Sequence, residues 1–344
     1  MRRQSITLIL FILLLLAGMG CSLLRLTGLN LQPATATPFP TNTPSQAAQQ
    51  VEITATESQT APPAAPALPT SSPSPSSTPT PVAVRFAVIG DYGQGNQNEA
   101  DVANLVKSWD VDFIITVGDN NYPSGSAETI DQNIGQFYHE FIYPYRGSYG
   151  AGSDTLRFFP VLGNHDLDID RAQAYYDYFE LPGNERYYDF IQGPLHFFAL
   201  NSDSRESDGV GRSSVQAEWL RERLAASNSA WKIVYGHHPP YTSGLRGPVD
   251  WMQWPFKEWG ATAYLSGHDH FYERLEIDGF PYFINGIGGG PIYDIGFAAA
   301  GSIVRFNDDY GAMLVTTTEQ QISFQFITRS GSVIDEYTIS KSQP

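Results

Sequence analysis

Five short apolar segments of this chain each end at a glycine that is followed by polar side chains able to bind a metal. These polar residues are Asp91, Asp119, the pair Asn164 and His165, His237, and His268. Each segment has the length and composition of a buried strand, and polar or helical stretches separate the first ones, which predicts an α/β fold. Functional side chains in α/β sheets gather at the carboxyl ends of strands, so we expect these residues to meet at one place.

The remaining sequence pattern predicts a sandwich built around mixed β-structure. Helical spacing covers residues 98–109 and 213–226, and Ser213 with Gln216 three residues later is typical of a capping box. Gly193 and Pro194 predict a turn between two strands of a hairpin. The predicted strands are 84–89, 113–117, 158–162, 187–190, 195–201, 231–235, 262–265, 274–277, 282–285, 303–306, 312–317, 322–327 and 333–339.

The first 21 residues resemble an export signal. Arg2 and Arg3 precede an apolar run over residues 6–20, and Cys21, the only cysteine of the chain, follows that run. This arrangement predicts a signal peptide with Cys21 as the lipid-bearing residue of a bacterial lipoprotein. A signal that is cleaved without lipidation and an uncleaved membrane anchor are the alternatives. All three place the rest of the protein outside the cytoplasmic membrane, in the cell envelope or the extracellular space.

Composition separates a stalk from a folded domain. Residues 22–81 are rich in Pro, Ser, Thr and Ala, which predicts a disordered tether because such a segment buries too little apolar surface. Residues 82–344 contain all six tryptophans and form the predicted catalytic domain. The net charge of −16 argues against nucleic acid as a ligand, and a single cysteine excludes a disulfide framework or a thiolate zinc site.

The candidate side chains form a mixed set of oxygen and nitrogen donors. Carboxylates, an amide oxygen and imidazoles suit iron, manganese or zinc. Two such ions about 3.5–4 Å apart can hold a phosphate group and activate a water molecule for in-line attack. His268 and His270 are two residues apart, so on a loop each imidazole can face a different ion.

Taken in order, the motifs resemble the calcineurin-like metallophosphoesterases. The motifs are Asp91-Tyr92-Gly93, Gly118-Asp119-Asn120-Asn121-Tyr122, Gly163-Asn164-His165-Asp166, Val234-Tyr235-Gly236-His237 and Gly267-His268-Asp269-His270. Tyr122, three residues after Asp119, is typical of the purple acid phosphatase branch, which includes the tartrate-resistant acid phosphatases. The stretches 237–244 and 268–274 also resemble that branch. The resemblance implies a four-layer α/β sandwich with two mixed central β-sheets and a binuclear metal site at the strand ends.

The resemblance also implies a role for each matching residue. A ferric ion would be bound by Asp91, Asp119, Tyr122 and His270. A divalent ion (Fe²⁺, Zn²⁺ or Mn²⁺) would be bound by Asp119, Asn164, His237 and His268, so that Asp119 bridges the two metals. His165 would face the substrate phosphate, Asp166 would orient His165, and a metal-bound hydroxide would attack phosphorus without a phosphoenzyme.

One position departs from the resembling phosphatases. These enzymes usually carry a histidine near the leaving group, shortly after the Ser-Gly of the loop that here contains Ser243 and Gly244, and this chain has Arg246 there. A guanidinium binds phosphate through its planar fork but does not release a proton at ordinary pH. Arg246 is therefore a candidate substrate-binding residue, and leaving-group protonation would fall to His165 or be unnecessary for activated esters.

The sequence thus predicts a phosphatase for small phosphomonoesters that acts as a monomer outside the cytoplasmic membrane. The membrane would be contacted only through the N-terminal anchor. A phosphodiesterase of the same superfamily, acting on nucleotides or glycerophosphodiesters, and a non-catalytic surface module on a stalk are the alternatives. His139 and His196 are expected to be structural. His238 lies next to the site or faces substrate, and the glycines of 286–290 form a loop beside the site or a plain turn.

Overall fold

The computed structural model describes residues 83–341, and thirteen strands form the centre of this part of the chain. In chain order they are β1 (Val84–Ile89), β2 (Phe113–Thr116), β3 (Phe158–Phe159), β4 (Tyr188–Gln192), β5 (Leu195–Ala199), β6 (Trp231–Tyr235), β7 (Ala263–Ser266), β8 (Tyr272–Ile277), β9 (Phe280–Asn285), β10 (Ser302–Phe306), β11 (Gly311–Thr317), β12 (Gln321–Thr328) and β13 (Val333–Ser340). The predicted signal over 1–21 and the stalk over 22–81 lie outside the described residues.

The strands form two mixed sheets. The order in the six-stranded sheet is β13-β12-β11-β1-β2-β3, and the order in the seven-stranded sheet is β10-β8-β9-β7-β6-β5-β4. Strands β1, β2 and β3 run parallel to one another, as do β5, β6, β7 and β9. The other pairs in both sheets are antiparallel. The predicted strands and the β4–β5 hairpin are thereby confirmed.

Aromatic side chains join the inner faces of the two sheets. Phe86 of β1 contacts Phe197 of β5 edge to face, with ring centroids 5.1 Å apart, and Phe283 of β9 stacks on Phe324 of β12 at 4.8 Å. Such pairs add to the free energy gained by burying their large apolar surfaces. The core between the sheets therefore holds the two sets of parallel strands in a fixed relation.

Helices cover the outer faces and give four layers. The helices are α1 (Gln97–Ser108), the single turn α2 (Gln136–Tyr138), α3 (Gln173–Tyr178) and α4 (Val215–Ala226). Helix α1 lies against β11 of the first sheet. Helix α4 buries Leu220 and Leu224 in a separate cluster with Phe198 and Val234 of the second sheet. The predicted α/β sandwich with two mixed sheets is confirmed.

The start of α4 differs from the sequence prediction. Ser214 caps the helix by accepting a hydrogen bond from the amide of Ala217, so the capping box of Ser213 and Gln216 is wrong. The side chain of Gln216 is used elsewhere, because it exchanges two hydrogen bonds with the backbone of Asn201. Within residues 83–341, no helix is both long enough and apolar enough to cross a lipid bilayer.

Candidate metal centre

The carboxyl ends of parallel strands from both sheets meet at one edge of the sandwich. Asp91, Asp119 and Asn164 follow β1, β2 and β3 of the first sheet, and His237 and His268 follow β6 and β7 of the second. Because neighbouring parallel strands end at the same edge, their loops converge there. The structure thus brings the five strand ends together, as the sequence pattern predicted.

Four side chains form a first cluster. The hydroxyl of Tyr122 lies 3.0 Å from Asp119 Oδ2, 3.3 Å from Asp91 Oδ1 and 3.0 Å from His270 Nε2. His270 Nε2 is also 3.3 Å from Asp91 Oδ1. All four side chains are buried. These are the residues that the resemblance assigns to the ferric site.

A second cluster shares Asp119 with the first. Asn164 Oδ1 lies 3.2 Å from His237 Nε2 and 3.0 Å from His268 Nδ1, and the two ring nitrogens are 3.2 Å apart. Asp119 Oδ2 is 3.4 Å from His237 Nε2. The same carboxylate oxygen therefore faces both clusters, which is the arrangement expected of a bridging ligand.

The chemistry of these atoms fits two bound cations. The Tyr122 hydroxyl has one proton for three acceptor neighbours, and Asn164 Oδ1 faces two ring nitrogens at hydrogen-bond distance. Among residues 83–341, no lysine or arginine forms an ion pair with Asp91 or Asp119; the basic side chains within 4.0 Å of these carboxylates are histidines. Buried lone pairs that point at one another are costly unless a cation satisfies them.

The far nitrogens of two histidines are fixed by backbone carbonyls. His237 Nδ1 donates to Val117 O at 2.9 Å, and His270 Nδ1 donates to Pro291 O at 2.6 Å. This tautomer leaves Nε2 of each ring with a free lone pair directed into its cluster. Such outer contacts orient a histidine for metal binding and raise its basicity.

Burial and like charges make the metal-free clusters electrostatically unfavourable. Burial raises the pKa of Asp119, and the charge of Asp91 raises it further, although His237 opposes both effects. Burial and the same two carboxylates raise the pKa of the Tyr122 phenol well above its usual value. Burial, followed by His237, lowers the pKa of His268. A bound cation would reverse the first two effects, because it favours the anionic oxygens, and it would act in the same direction as burial on His268, because it favours the neutral imidazole.

Three of the seven side chains extend from backbone in the left-handed region. The φ angles of Asp91, Asp119 and His268 are 52°, 51° and 69°. Such conformations cost about 1–3 kcal/mol each unless the surrounding contacts hold them, and they concentrate at functional sites. The preceding Gly118 is required by close packing, because a Cβ there would lie 2.7 Å from Nδ1 of His237.

His165 lies at the solvent side of the clusters. Its side chain is 33 % exposed, its Nε2 is 4.0 Å from Asp119 Oδ2, and its ring packs on that of Tyr122 with centroids 4.6 Å apart. Its Nδ1 is 2.6 Å from Pro123 O. The imidazole can therefore present Nε2 to a group held at the clusters.

Asp166 does not orient His165 as predicted. Its buried carboxylate accepts hydrogen bonds from the amides of Asn120, Asn121 and Gly163 and from the side chain of Asn120. The ring of His165 is instead held by the Pro123 carbonyl. Asp166 thus joins the loops after β2 and β3, which carry Asp119 and Asn164.

Beside the clusters lies a cavity of about 380 Å³ whose lining includes Arg246 and Tyr293. The ring of Tyr293 stacks on that of His270 with centroids 3.9 Å apart and planes inclined by 5°. The guanidinium carbon of Arg246 lies 5.2 Å from the centre of the Tyr293 ring. No sequence pattern indicated Tyr293; its only signal is its position just after the glycines of 286–290.

The structure also gives the contacts of the other histidines and of the glycine loop. His238 is buried, contacts Ser202 Oγ through Nδ1 and packs on the ring of His268 at 4.6 Å. The glycine loop lies beside the site, since the amides of Gly288 and Gly290 donate to Gly90 O and Asp91 O. His139 and His196 make only structural contacts, to Gly135 O and to Asp189 and Ser227.

Comparison with known proteins identifies one family model that matches and several related phosphatases. Residues 84–272 match the family model described as calcineurin-like phosphoesterase. The chain is 26 % identical over 246 residues to tartrate-resistant acid phosphatase type 5 of Homo sapiens, covering 60 % of this chain and 73 % of that protein. It is 28 % identical over 235 residues to purple acid phosphatase 17 of Arabidopsis thaliana, covering 58 % and 66 %.

Two solved structures share the fold. A purple acid phosphatase from yellow lupin (Lupinus luteus) seeds is similar with a TM-score of 0.61 at 17 % identity, over 76 % of this chain and 54 % of that chain. GAP50, the anchor in the inner membrane complex of Plasmodium, gives a TM-score of 0.59 at 19 % identity, over 76 % and 90 %. At these identities the similarity concerns the fold alone.

Proposed function

The chain belongs to the calcineurin-like phosphoesterases and is a hydrolase of phosphoric esters, and from this premise we propose that it cleaves phosphomonoesters at a binuclear metal centre. The observation that carries the proposal is the single oxygen, Asp119 Oδ2, that faces two clusters of donor atoms. In the first cluster Asp91, Tyr122 and His270 accompany it. In the second, the partners are Asn164, His237 and His268.

Bound metal ions would supply positive charge for the phosphate and an activated water for attack on phosphorus. The chain itself would hold the substrate on the open side of the clusters. His165, fixed at Nδ1 by Pro123 O, would contact the phosphate through Nε2. Arg246, supported by the Tyr293 ring, would bind the substrate from the cavity.

The test of this function compares two esters of one chromophore, nitrophenyl phosphate and bis(nitrophenyl) phosphate. We expect the purified, metal-loaded chain to hydrolyse the monoester with the higher kcat/KM. A reversed preference would replace the proposal with the phosphodiesterase alternative. Failure to hydrolyse either ester, with both metal positions filled, would contradict a phosphatase function.

For the metal pair we propose Fe³⁺ with Fe²⁺, Zn²⁺ or Mn²⁺. Tyr122 supports iron, because a phenolate bound to a ferric ion absorbs visible light, and its hydroxyl lies within 3.3 Å of three other donor atoms. We expect protein prepared with iron to be purple or pink and Tyr122→Phe to be colourless, as measured by the visible spectrum together with metal content.

The matched control for the colour is Tyr175→Phe. That buried phenol donates to Pro160 O and does not contact the clusters, so the variant should keep the absorption band. A colourless, fully active wild type that contains two zinc or manganese ions would contradict the iron assignment and leave the phosphatase proposal in place.

We further propose that the catalytic domain, 82–344, acts outside the cytoplasmic membrane as a monomer on small phosphorylated molecules, with no role for nucleic acid. The support is the signal-like segment ending at Cys21, the stalk composition of 22–81 and the net charge of −16. Cell fractionation of the full chain tests the location, and activity confined to the cytoplasm would contradict it.

A further inference from the structure

The loop after β5 contributes no donor atom to either cluster, yet it contacts two segments that do. We define the Ser202–Arg205 loop as residues 202–205. At one end, Ser202 Oγ accepts hydrogen bonds from the amides of His237 and His238 at 3.1 and 2.8 Å. At the other end, the guanidinium of Arg205 reaches the turn that carries Asn164. Both contacts therefore involve the backbone of a residue of the second cluster, His237 or Asn164.

Arg205 is anchored within its own loop. Its Nε and Nη2 donate to Asp203 Oδ1 and Oδ2 at 2.7 and 2.9 Å, a two-pronged contact with a carboxylate that is only 6 % exposed. Paired guanidinium–carboxylate contacts fix both position and orientation. Asp203 is held in turn by a hydrogen bond that its backbone amide donates to Asn201 Oδ1.

From this anchor the same guanidinium makes two contacts across to the Asn164 turn. Nη2 donates to the backbone oxygen of Asn164 at 2.8 Å, and Nη1 donates to Asp168 Oδ1 at 3.0 Å. The other oxygen of Asp168 is 3.8 Å from His165 Nδ1. One side chain therefore restrains a residue of the second cluster and the neighbourhood of the substrate-facing imidazole.

The inner side of the turn has separate restraints. The amide of His165 donates to Asp119 Oδ1, and the amide of Gly163 donates to Asp166 Oδ2, both at 2.9 Å. These contacts hold the turn against the clusters, whereas the backbone oxygen of Asn164 accepts from the Leu167 amide within the turn at 3.3 Å and from Arg205 across the loops. A neutral amide oxygen brings no charge to a cation, and contacts that orient a ligand add to the affinity for the metal.

We propose that Arg205 is a positioning residue that sets the affinity of the second metal position by holding Asn164 and His165 from outside the site. This inference rests on the proposed binuclear function. Within residues 83–341, no hydrogen bond or ion pair joins the Ser202–Arg205 loop to a residue of the first cluster, the shared Asp119 included. The effect of Arg205 should therefore fall on one metal position only.

The test is Arg205→Met, which keeps an unbranched apolar stem and removes the guanidinium donors. We expect the dissociation constant of the divalent ion to rise about 10–100-fold, the range typical of outer-shell changes. The iron content and the visible band of the first position should stay unchanged. Divalent-ion titration followed by metal analysis measures the dissociation constant and the iron content, and the spectrum measures the visible band.

Two further variants make the result specific. Asp168→Asn removes the charge that Arg205 contacts and should weaken divalent binding in the same direction but less, so it also serves if Arg205→Met fails to fold. Arg221→Met is the matched control, because Arg221 pairs with Glu218 on the exposed face of α4 and its loss should leave both metal positions unaltered.

The outcomes separate this inference from the function on which it rests. A wild type that binds two metals, together with Arg205→Met and Asp168→Asn of unchanged divalent affinity, would overturn the positioning role alone. Equal loss from both metal positions would assign Arg205 a general structural role and would also overturn it. A wild type that binds fewer than two metals would instead contradict the binuclear proposal.

Discussion

Asp119→Asn should remove both metals and nearly all activity. The substituted oxygen, Oδ2, faces Tyr122 at 3.0 Å and His237 at 3.4 Å, so an amide there would lose the charge on which both positions depend. Loss of several kcal/mol of transition-state stabilisation corresponds to about 10³-fold in kcat/KM. Metal analysis and steady-state kinetics on nitrophenyl phosphate measure the two effects.

The same substitution should not destabilise the metal-free protein. Burial, with the charge of Asp91, raises the pKa of Asp119 in the folded state, so its ionised form opposes folding once the pH exceeds the unfolded pKa. Replacing it with a neutral amide removes that cost. We expect the metal-free variant to have a melting temperature equal to or above that of the metal-free wild type near neutral pH.

Asp189→Asn is the control for the metal analysis and the kinetics. Asp189 also contacts a histidine, His196 at 2.8 Å, but away from the clusters, so the variant should keep two metals and full activity. If Asp119→Asn retained two metals and near-normal turnover, the bridging role would be wrong. If it lost activity only because the metal-free fold collapsed, the melting temperature would fall instead of holding.

The strand ends could be predicted from the sequence because two independent signals coincide there. An apolar run identifies the strand, and the glycine before each polar residue reflects the close approach that the site requires. At Gly118 the neighbour is the His237 ring, on the other sheet. The sequence shows the glycine and the ligand type, whereas the left-handed backbone at Asp91, Asp119 and His268 is visible only in the structure.

The supporting contacts could not be predicted, because they join distant parts of the chain without a local pattern. Arg205 contacts the carbonyl of Asn164 across 41 positions of sequence, and a backbone oxygen carries no residue-specific signal. The family resemblance implied that Asp166 orients His165, but its buried carboxylate is occupied by backbone amides. Adjacent serines likewise gave no means of choosing Ser214 over Ser213 as the cap of α4.

The second large effect should appear in the leaving-group dependence. Arg246 stands where the resembling phosphatases carry a histidine, and a guanidinium does not donate a proton at ordinary pH. The wild type should therefore hydrolyse nitrophenyl phosphate, whose leaving group needs no proton, far better than alkyl phosphates. General acid catalysis contributes about 10²–10⁴-fold, so Arg246→His should raise kcat/KM for alkyl phosphates selectively.

Arg246→Gln separates proton donation from the loss of positive charge. It removes the cation beside Tyr293 without introducing a titratable group, so it should weaken the binding of both esters and leave their ratio unchanged. Only the histidine variant should narrow the gap between the two esters. An identical leaving-group dependence in wild type and Arg246→His would mean that His165, whose Nε2 lies 4.0 Å from Asp119, already supplies the proton, or that Arg246 does not reach the leaving group. His165→Asn then decides between these two explanations, because it would steepen the leaving-group dependence only if His165 is the acid.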